Sequence, residues 1–269
     1  MLLDRFNRRI DYLRVSVTDR CNYRCVYCMP EAPFMHKNHS DILSYEQIES
    51  VAKAAAGVGI TKIRLTGGEP LVRKDIEQLV AKLAAIDGID KVCMTTNGSL
   101  LVDMATILKR SGLGRVNISI DSLNTEKFRR ITRGGDLRQA LAGVEAAKKA
   151  ELTPIKINMV IFNDTTQEDI ETMKTFCEQR GLELQQIMRF SLYNRTDFSR
   201  RFETQRPPKC SQCNRLRLTA DGYLKPCLFS DNEVRIDFDN ITGSILEAVT
   251  KKPENGSHCR NRLMNQIGG

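Results

Sequence analysis

The chain has 269 residues, 41% of them hydrophobic and 28% charged, which excludes an intrinsically disordered chain and predicts a soluble globular protein with a sizeable core. Its formal net charge of +8 favours an anionic partner, either a nucleic acid or a phosphorylated small molecule. The N-terminal residues are charged throughout, and no apolar run is long enough to cross a membrane. We therefore expect a cytoplasmic protein that has no membrane partner.

Short apolar runs of β character alternate with longer amphipathic segments up to about residue 190. The predicted strands are residues 13–17, 62–66, 91–95, 115–120, 155–161 and 182–188. The predicted helices are residues 44–59, 73–88, 102–111, 136–150 and 167–180. Repeated β-then-α units predict an α/β fold of parallel strands with right-handed crossovers. Since a full barrel needs eight units, six predict a partial TIM-type (β/α)6 barrel, and an open doubly wound sheet is the alternative.

The β-then-α pattern stops at about residue 190, and the next stretch is polar and basic and ends in two prolines. We therefore predict a core of residues 1–190, a linker of residues 191–208 and a small C-terminal region of residues 209–269. In the core, functional side chains are expected where the strands end.

Six of the nine cysteines fall into two groups, and clustered thiols in a reducing compartment indicate metal ligands. The first group, Cys21, Cys25 and Cys28, has the spacing C-x3-C-x2-C. Three thiolates can hold an iron–sulfur cubane and leave its fourth iron open to a ligand. A zinc site completed by a remote residue is the alternative, although structural zinc usually shows paired C-x2-C units.

The second group is Cys210, Cys213 and Cys227, with the spacing C-x2-C-x13-C. The sequence TADG (219–222) predicts a hairpin turn that brings Cys227 back towards the other two cysteines. A zinc ribbon with His258 or Cys259 as fourth ligand stays open as an alternative to an iron–sulfur cluster.

The stretch CNYRCVYC (21–28) resembles the signature of the radical S-adenosylmethionine (SAM) superfamily. The resemblance implies a [4Fe–4S] cluster whose open iron chelates SAM, and reductive cleavage of SAM to a 5′-deoxyadenosyl radical. TGGEPL (66–71) resembles the GGEP motif of the same superfamily. By position, Tyr27, Gly68, Glu69 and Ser119 then become cofactor-binding residues.

CNRLRLTADGYLKPCLFS (213–230) closely resembles the C-terminal motif of the GTP 3′,8-cyclase family, a lyase family of molybdenum cofactor biosynthesis. RVNISIDSL, IKINMVI and the terminal IGG also match. The resemblance implies a second [4Fe–4S] cluster on Cys210, Cys213 and Cys227 that contacts the guanine. It implies catalytic, substrate-facing roles for Arg215 and Arg217. The other implied substrate contacts are Arg14, Arg64, Thr95 and Lys156.

In that family the radical takes the ribose 3′ hydrogen of GTP, and the resulting carbon radical attacks C8 of the guanine. The resemblance also implies an electron donor such as flavodoxin or ferredoxin, no nucleic-acid partner, and a C-terminal Gly268-Gly269 tail that reaches into the active site. It leaves a homodimer open.

The chain departs from the family at two points. The segment before the second cysteine group is reduced to SLYNRTDFSRRFETQRPP, and Gln185 stands where the family has a triphosphate-binding arginine, with Arg189 as the candidate replacement. These departures favour one rival, a two-cluster radical SAM enzyme acting on a peptide or another nucleotide. The second rival is a non-catalytic zinc or iron–sulfur protein that binds nucleic acid, which the +8 charge would suit.

Overall fold

One sheet carries the fold in the computed structural model, which describes residues 1–32, 35–193 and 209–268. Its strands are β1 (Tyr12–Ser16), β2 (Lys62–Thr66), β3 (Lys91–Thr96), β4 (Arg115–Ser119), β5 (Lys156–Ile161), β6 (Glu183–Met188), β7 (Arg215–Leu218), β8 (Tyr223–Lys225) and β9 (Val234–Arg235). They lie in the order β6-β5-β4-β3-β2-β1-β7-β8-β9. All neighbours from β6 to β7 are parallel, whereas β8 pairs antiparallel with both β7 and β9.

The first six helices connect the parallel strands and cover one side of the sheet, whereas the short last helix lies on the opposite side. In chain order the helices are α1 (Tyr45–Gly57), α2 (Ile76–Ala84), α3 (Leu101–Arg110), α4 (Thr125–Thr132), α5 (Leu137–Lys149), α6 (Gln167–Arg180), α7 (Ile241–Thr250) and α8 (Met264–Ile267). The six predicted strands and five predicted helices are confirmed, with differences of a few residues at their ends. The Ser44 side chain caps α1 in a capping box with Gln47, which fixes where that helix begins.

The strands separate an apolar side from a polar side because successive side chains point to opposite faces. On β1, Leu13 and Val15 are buried in the helix-covered core, whereas Arg14 lies on the other face. On β2, Ile63 and Leu65 join the core while Arg64 points the other way. The alternation therefore leaves the face opposite the helices free to carry charged groups.

That second face is concave. Gln185 on β6 and Arg215 on β7 line the same cavity although six strand intervals separate their strands. In a flat sheet these strands would lie about 29 Å apart at about 4.8 Å per interval. The sheet therefore curls around its polar face, which confirms the expected partial barrel.

The C-terminal strands continue the sheet of the core, since β7 pairs with β1 and places Arg217 beside Arg14. The predicted hairpin is confirmed, and Thr219 and Tyr223 close it by a backbone hydrogen bond of 2.8 Å. The predicted division into core, linker and C-terminal region stays a prediction, and residues 194–208 lie outside the described ranges. Within those ranges, no helix combines the length and the apolar character that a bilayer span needs.

Candidate active site

The concave face of the sheet encloses a cavity of about 270 Å³. Its lining includes the first cysteine group and every residue predicted to bind cofactor or substrate. These residues are Cys21, Cys25, Cys28, Tyr27, Gly68, Glu69, Ser119, Arg14, Arg64, Thr95, Lys156, Arg215 and Arg217. The second cysteine group does not line the cavity. Contributions from seven strands and from the loops that follow them thus meet at one place.

The loop that carries the first cysteines follows β1 and is pinned to the end of α4. Backbone hydrogen bonds run from Arg24 to the Thr132 carbonyl at 3.1 Å and from Val26 to the Ile131 carbonyl at 2.9 Å. The buried Tyr23 ring packs edge-on against Phe128 with 6.2 Å between ring centroids. These contacts fix the path of the loop and turn its cysteines towards the cavity.

The three cysteines are free thiols. Burial raises the pKa of Cys21 to about 11 and that of Cys28 beyond the normal range, and it also raises the pKa of Cys25. A metal must therefore displace protons in order to bind here. Three thiols on one loop at the wall of a cavity fit the ligand set of an iron–sulfur cluster. Among the residues that the structure describes, no three His, Cys, Asp or Glu side chains are placed to hold a single metal ion.

Gly67 and Gly68 allow the loop after β2 to lie directly against the loop after β1. The amides of Gly68 and Glu69 donate to the carbonyls of Thr18 and Arg20, each at 2.8 Å. A Cβ atom on Gly68 would lie 2.2 Å from the Arg20 oxygen, closer than any contact that a real Cβ makes. The close contact between the two loops therefore explains why glycine is needed at position 68, whether or not a ligand also binds there.

Glu69 is buried and accepts three hydrogen bonds. The donors are the amides of Leu71 at 3.0 Å and Asn97 at 2.7 Å and the Thr96 hydroxyl at 2.7 Å. Burial outweighs these donors and raises the pKa of Glu69 to about 7. A carboxylate held this firmly beside Cys21 can receive a cationic group of a ligand.

Asp121 is a buried residue of the site that the sequence interpretation did not single out, although the ISIDS motif marks a strand end. It follows Ser119 at the end of β4 and accepts from the Tyr27 hydroxyl at 3.1 Å and from the Val160 amide at 2.8 Å. Burial raises the pKa of Asp121 to about 6. Its carboxylate orients Tyr27, the aromatic residue between the last two cysteines.

Basic residues dominate the rest of the cavity. Among the residues that the structure describes, eight basic and two acidic side chains line it. The basic side chains are Arg14, Lys62, Arg64, Arg115, Lys156, Arg189, Arg215 and Arg217. Lys62 and Arg115 were missed, because each begins a strand and only the register of the sheet shows that it faces inward. A cavity lined by many more basic than acidic side chains suits a polyanionic ligand.

The predicted substrate contact Arg64 is held by a polar network across six strands. It donates to the Tyr12 hydroxyl at 2.6 Å, to the Met94 carbonyl at 2.8 Å and to Asn117 Oδ1 at 3.0 Å. Asn158 Oδ1 in turn accepts from Asn117 at 3.1 Å and from Gln185 at 2.9 Å. Gln185 therefore ends a chain of neutral amides at the position where the resemblance leads us to expect a cation.

The C-terminal segment closes one side of the cavity. Arg217 donates to the Gly268 carbonyl at 2.6 Å, and Asn265 donates to the Asp19 carbonyl at 2.8 Å. Gly268 lies against the side chain of Thr66, which also lines the cavity. The resemblance implied such a placement for the tail, and Gly269 lies outside the described residues.

The second cysteine group lies at the start of β7, since Cys210 and Cys213 precede this strand and Cys227 follows β8, which pairs antiparallel with β7. Burial raises the pKa of Cys213, but the charges of Lys252 and Arg215 outweigh burial and lower it overall. The ring nitrogens of His258 face Ser257 at 3.1 Å and Asp231 at 3.5 Å. Cys259 is buried in the apolar cluster that Cys227 and Cys28 also contact.

Comparison with known proteins places this geometry in a family. The model of the radical SAM superfamily matches residues 15–177. The chain is 40% identical to a GTP 3′,8-cyclase of Alkaliphilus oremlandii, with 99% of each chain aligned. It is 41% identical to a GTP 3′,8-cyclase of Peptoclostridium acidaminophilum over 100% of this chain and 98% of the relative. The first alignment spans 318 positions, so about fifty positions of that relative have no counterpart in the 269 residues here.

Solved structures agree on the fold alone. SuiB of Streptococcus suis bound to S-adenosylmethionine matches with a TM-score of 0.68 at 14% identity. The match covers 92% of this chain and 66% of the SuiB chain. The enzyme anSMEcpe with bound AdoMet has a TM-score of 0.65 at 15% identity, over 91% of this chain and 81% of its own. By its superfamily match and its full-length relatives, the chain belongs to the GTP 3′,8-cyclase family of the radical SAM superfamily.

Proposed function

We propose that this protein is a GTP 3′,8-cyclase that acts in molybdenum cofactor biosynthesis with SAM and two [4Fe–4S] clusters. One observation carries the proposal: a single cavity has three free cysteines and buried carboxylates at one end and a concentration of basic side chains on the remaining wall. The full-length relatives, which are named GTP 3′,8-cyclases, support it.

At the cysteine end, Cys21, Cys25 and Cys28 would hold the first cluster, and the amino acid part of SAM would lie between Glu69 and Ser119. When bound, the cluster and SAM would provide the radical chemistry that removes a hydrogen atom from the ribose 3′ carbon. The Glu69 carboxylate can accept a hydrogen bond from the SAM ammonium group, and the Ser119 hydroxyl can donate one to its carboxylate. The curled sheet and the tail around Gly268 keep water away from a reactive intermediate.

The basic wall would bind the triphosphate. Arg14, Arg64 and Arg217 occupy one row across three adjacent strands, so their like charges lie side by side. Desolvation and the neighbouring Arg217 lower the pKa of Arg14 well below its usual value. A polyanion relieves this repulsion, and its phosphates gain charge-assisted hydrogen bonds in a partly desolvated site. Lys156, which pairs with Glu183, and Thr95 would complete the contacts.

The guanine would lie towards β7. Arg215 and Arg217 face the cavity from this strand, and the second cysteine group lies at the end of the strand where Arg215 stands. Cys210, Cys213 and Cys227 would hold the second cluster near these arginines. The two arginines would orient the base so that its C8 atom lies near the ribose carbon that loses hydrogen. A cytoplasmic one-electron donor such as flavodoxin or ferredoxin would supply reducing equivalents.

A related enzyme with another substrate, a peptide or a different nucleotide, is the second candidate. Gln185 favours it, because this neutral side chain stands where the family is expected to have an arginine. The fifty or so positions missing relative to the Alkaliphilus enzyme also favour it. Identity of 36–41% to GTP 3′,8-cyclases over whole chains favours the first candidate. The comparisons give no support to a non-catalytic nucleic-acid-binding protein.

The deciding experiment uses protein that has been purified without oxygen, reconstituted with iron and sulfide, and reduced. It is incubated with SAM in the presence and absence of GTP, and 5′-deoxyadenosine and the cyclised nucleotide are quantified. Deoxyadenosine together with a GTP-derived product supports the cyclase. Deoxyadenosine with unchanged GTP supports the second candidate, and a reconstituted protein that never cleaves SAM refutes both.

A further inference from the structure

We propose that Lys252 is a positioning residue of the second cluster, donating an N–H···S hydrogen bond to Cys213 that raises the reduction potential of that cluster. The inference rests on the proposed function, in that it requires a cluster on Cys210, Cys213 and Cys227. Lys252 itself is neither a cysteine ligand nor a residue that lines the substrate cavity.

Lys252 follows α7, and its side chain is 1% exposed. Its ammonium nitrogen lies 3.4 Å from Cys213 Sγ, 2.7 Å from the Arg215 carbonyl oxygen and 2.6 Å from the Pro226 carbonyl oxygen. Pro226 immediately precedes Cys227. One buried ammonium group therefore contacts both chain segments that bring the second cysteines together.

Arg8 extends this arrangement to the third cysteine. Its guanidinium donates to the carbonyl oxygens of Cys210 at 2.9 Å, Pro253 at 2.7 Å and Glu254 at 2.9 Å, and it pairs with Asp4. Since Pro253 directly follows Lys252, Arg8 fixes the backbone from which the lysine side chain extends. The two cations thus contact or adjoin all three cysteines.

A buried ammonium group is costly unless an opposite charge compensates it. Lys252 forms no ion pair with a carboxylate among the described residues, and its nearest source of negative charge is Cys213. Three thiolates around a [4Fe–4S]²⁺ core carry a net negative charge that grows by one on reduction. A fixed cation therefore stabilises the reduced form more than the oxidised form, and this raises the potential.

Lys225 provides a matched control. It is also fully buried and lies in the same region, but it donates to the Ser230 carbonyl at 2.9 Å and has the Glu233 carboxylate 3.8 Å away. It also lies beside Cys259, which is not one of the three proposed ligands, and its charge is compensated by a carboxylate and not by a cysteine of the second group. Replacing it should lower stability as much as replacing Lys252, with little effect on the potential of the cluster.

The test uses the full chain with Cys21, Cys25 and Cys28 changed to alanine, so that any cluster is the second one. Reconstituted protein is titrated with dithionite in the presence of redox mediators and followed by electron paramagnetic resonance. We expect a more negative midpoint potential in K252M and in K252Q, which retains a donor for the carbonyls, and a potential close to the parent value in K252R and K225M. K252Q also provides the comparison if K252M does not fold.

If the cluster assembles and its midpoint potential is the same in the parent, K252Q and K252R, the role of Lys252 is overturned and the proposed function stands. A parent that binds no iron–sulfur cluster at these cysteines, with zinc in its place, overturns both. Equal shifts in K252Q and K225M also overturn the inference, because they would show that loss of any buried charge has the same effect.

Discussion

Replacing Gly68 with alanine tests whether the GGEP motif is needed for the contact between two loops. The new Cβ atom would lie 2.2 Å from the Arg20 carbonyl oxygen, so the loops must separate by about 1 Å to reach a normal contact. The hydrogen bonds from Gly68 to Thr18 and from Glu69 to Arg20, both 2.8 Å, would then exceed hydrogen-bonding distance. Two lost hydrogen bonds and the overpacking together lower the free energy of unfolding by about 4 kcal/mol.

Urea unfolding followed by circular dichroism measures that loss, and SAM cleavage by the reconstituted protein measures the displacement of Glu69. The control is Gly57→Ala near the end of α1, where an added Cβ meets no atom within 4 Å. Alanine is the better helix former there, so G57A should be as stable as the parent or more stable by up to about 1 kcal/mol. A G68A protein as stable and as active as G57A would refute the reasoning.

Three further predictions concern buried groups of the site. The Glu69 pKa is about 7 in the fold against an ordinary 4.5, so this group contributes stability below pH 4.5 that is lost as the pH rises through 7. The free energy of unfolding of metal-free protein should fall by about 3 kcal/mol as the pH rises through this range, and by less in E69Q. The same dependence of stability on pH in both proteins would contradict this. Phe128→Ala should cost about 4 kcal/mol and reduce iron bound at the first cysteines, because the ring supports Tyr23; full iron content would argue against that role. Arg64→Met removes the hydrogen-bond donor to Asn117 and should lower the free energy of unfolding by about 3 kcal/mol. It should also weaken GTP binding measured by calorimetry, and unchanged binding would exclude Arg64 from the substrate site.

Much of the core could be predicted from the sequence because its signals are local. An apolar run followed by a turn and an amphipathic helix repeats five times before a sixth strand, and each strand lies within about two residues of its expected place. The helix α4 was missed, since its sequence TEKFRRIT is short and largely charged and buries only Phe128, Ile131 and Thr132. That helix nevertheless holds the first cysteine loop.

The remaining features depend on distant parts of the chain. Nothing local predicts that β7 joins the sheet beside β1, and this pairing brings Arg217 next to Arg14. Lys62 and Arg115 look like ordinary charged residues at the start of a strand until the register places them inside. The buried charge of Lys252 could not be predicted either, because its partners lie 26 to 39 residues away in the chain.

The pairing of β1 with β7 also has a consequence for biosynthesis. Arg8 contacts Cys210 across 202 residues of sequence, so the two halves of this contact leave the ribosome at widely separated times. The six core strands and the first cysteine loop can fold while translation continues, but one edge of β1 stays unpaired until residues 215–218 emerge. The proposed second cluster site, with Lys252 included, is therefore complete only after the C-terminal segment has been synthesised, whereas the first cysteine group is complete once residue 28 has been added.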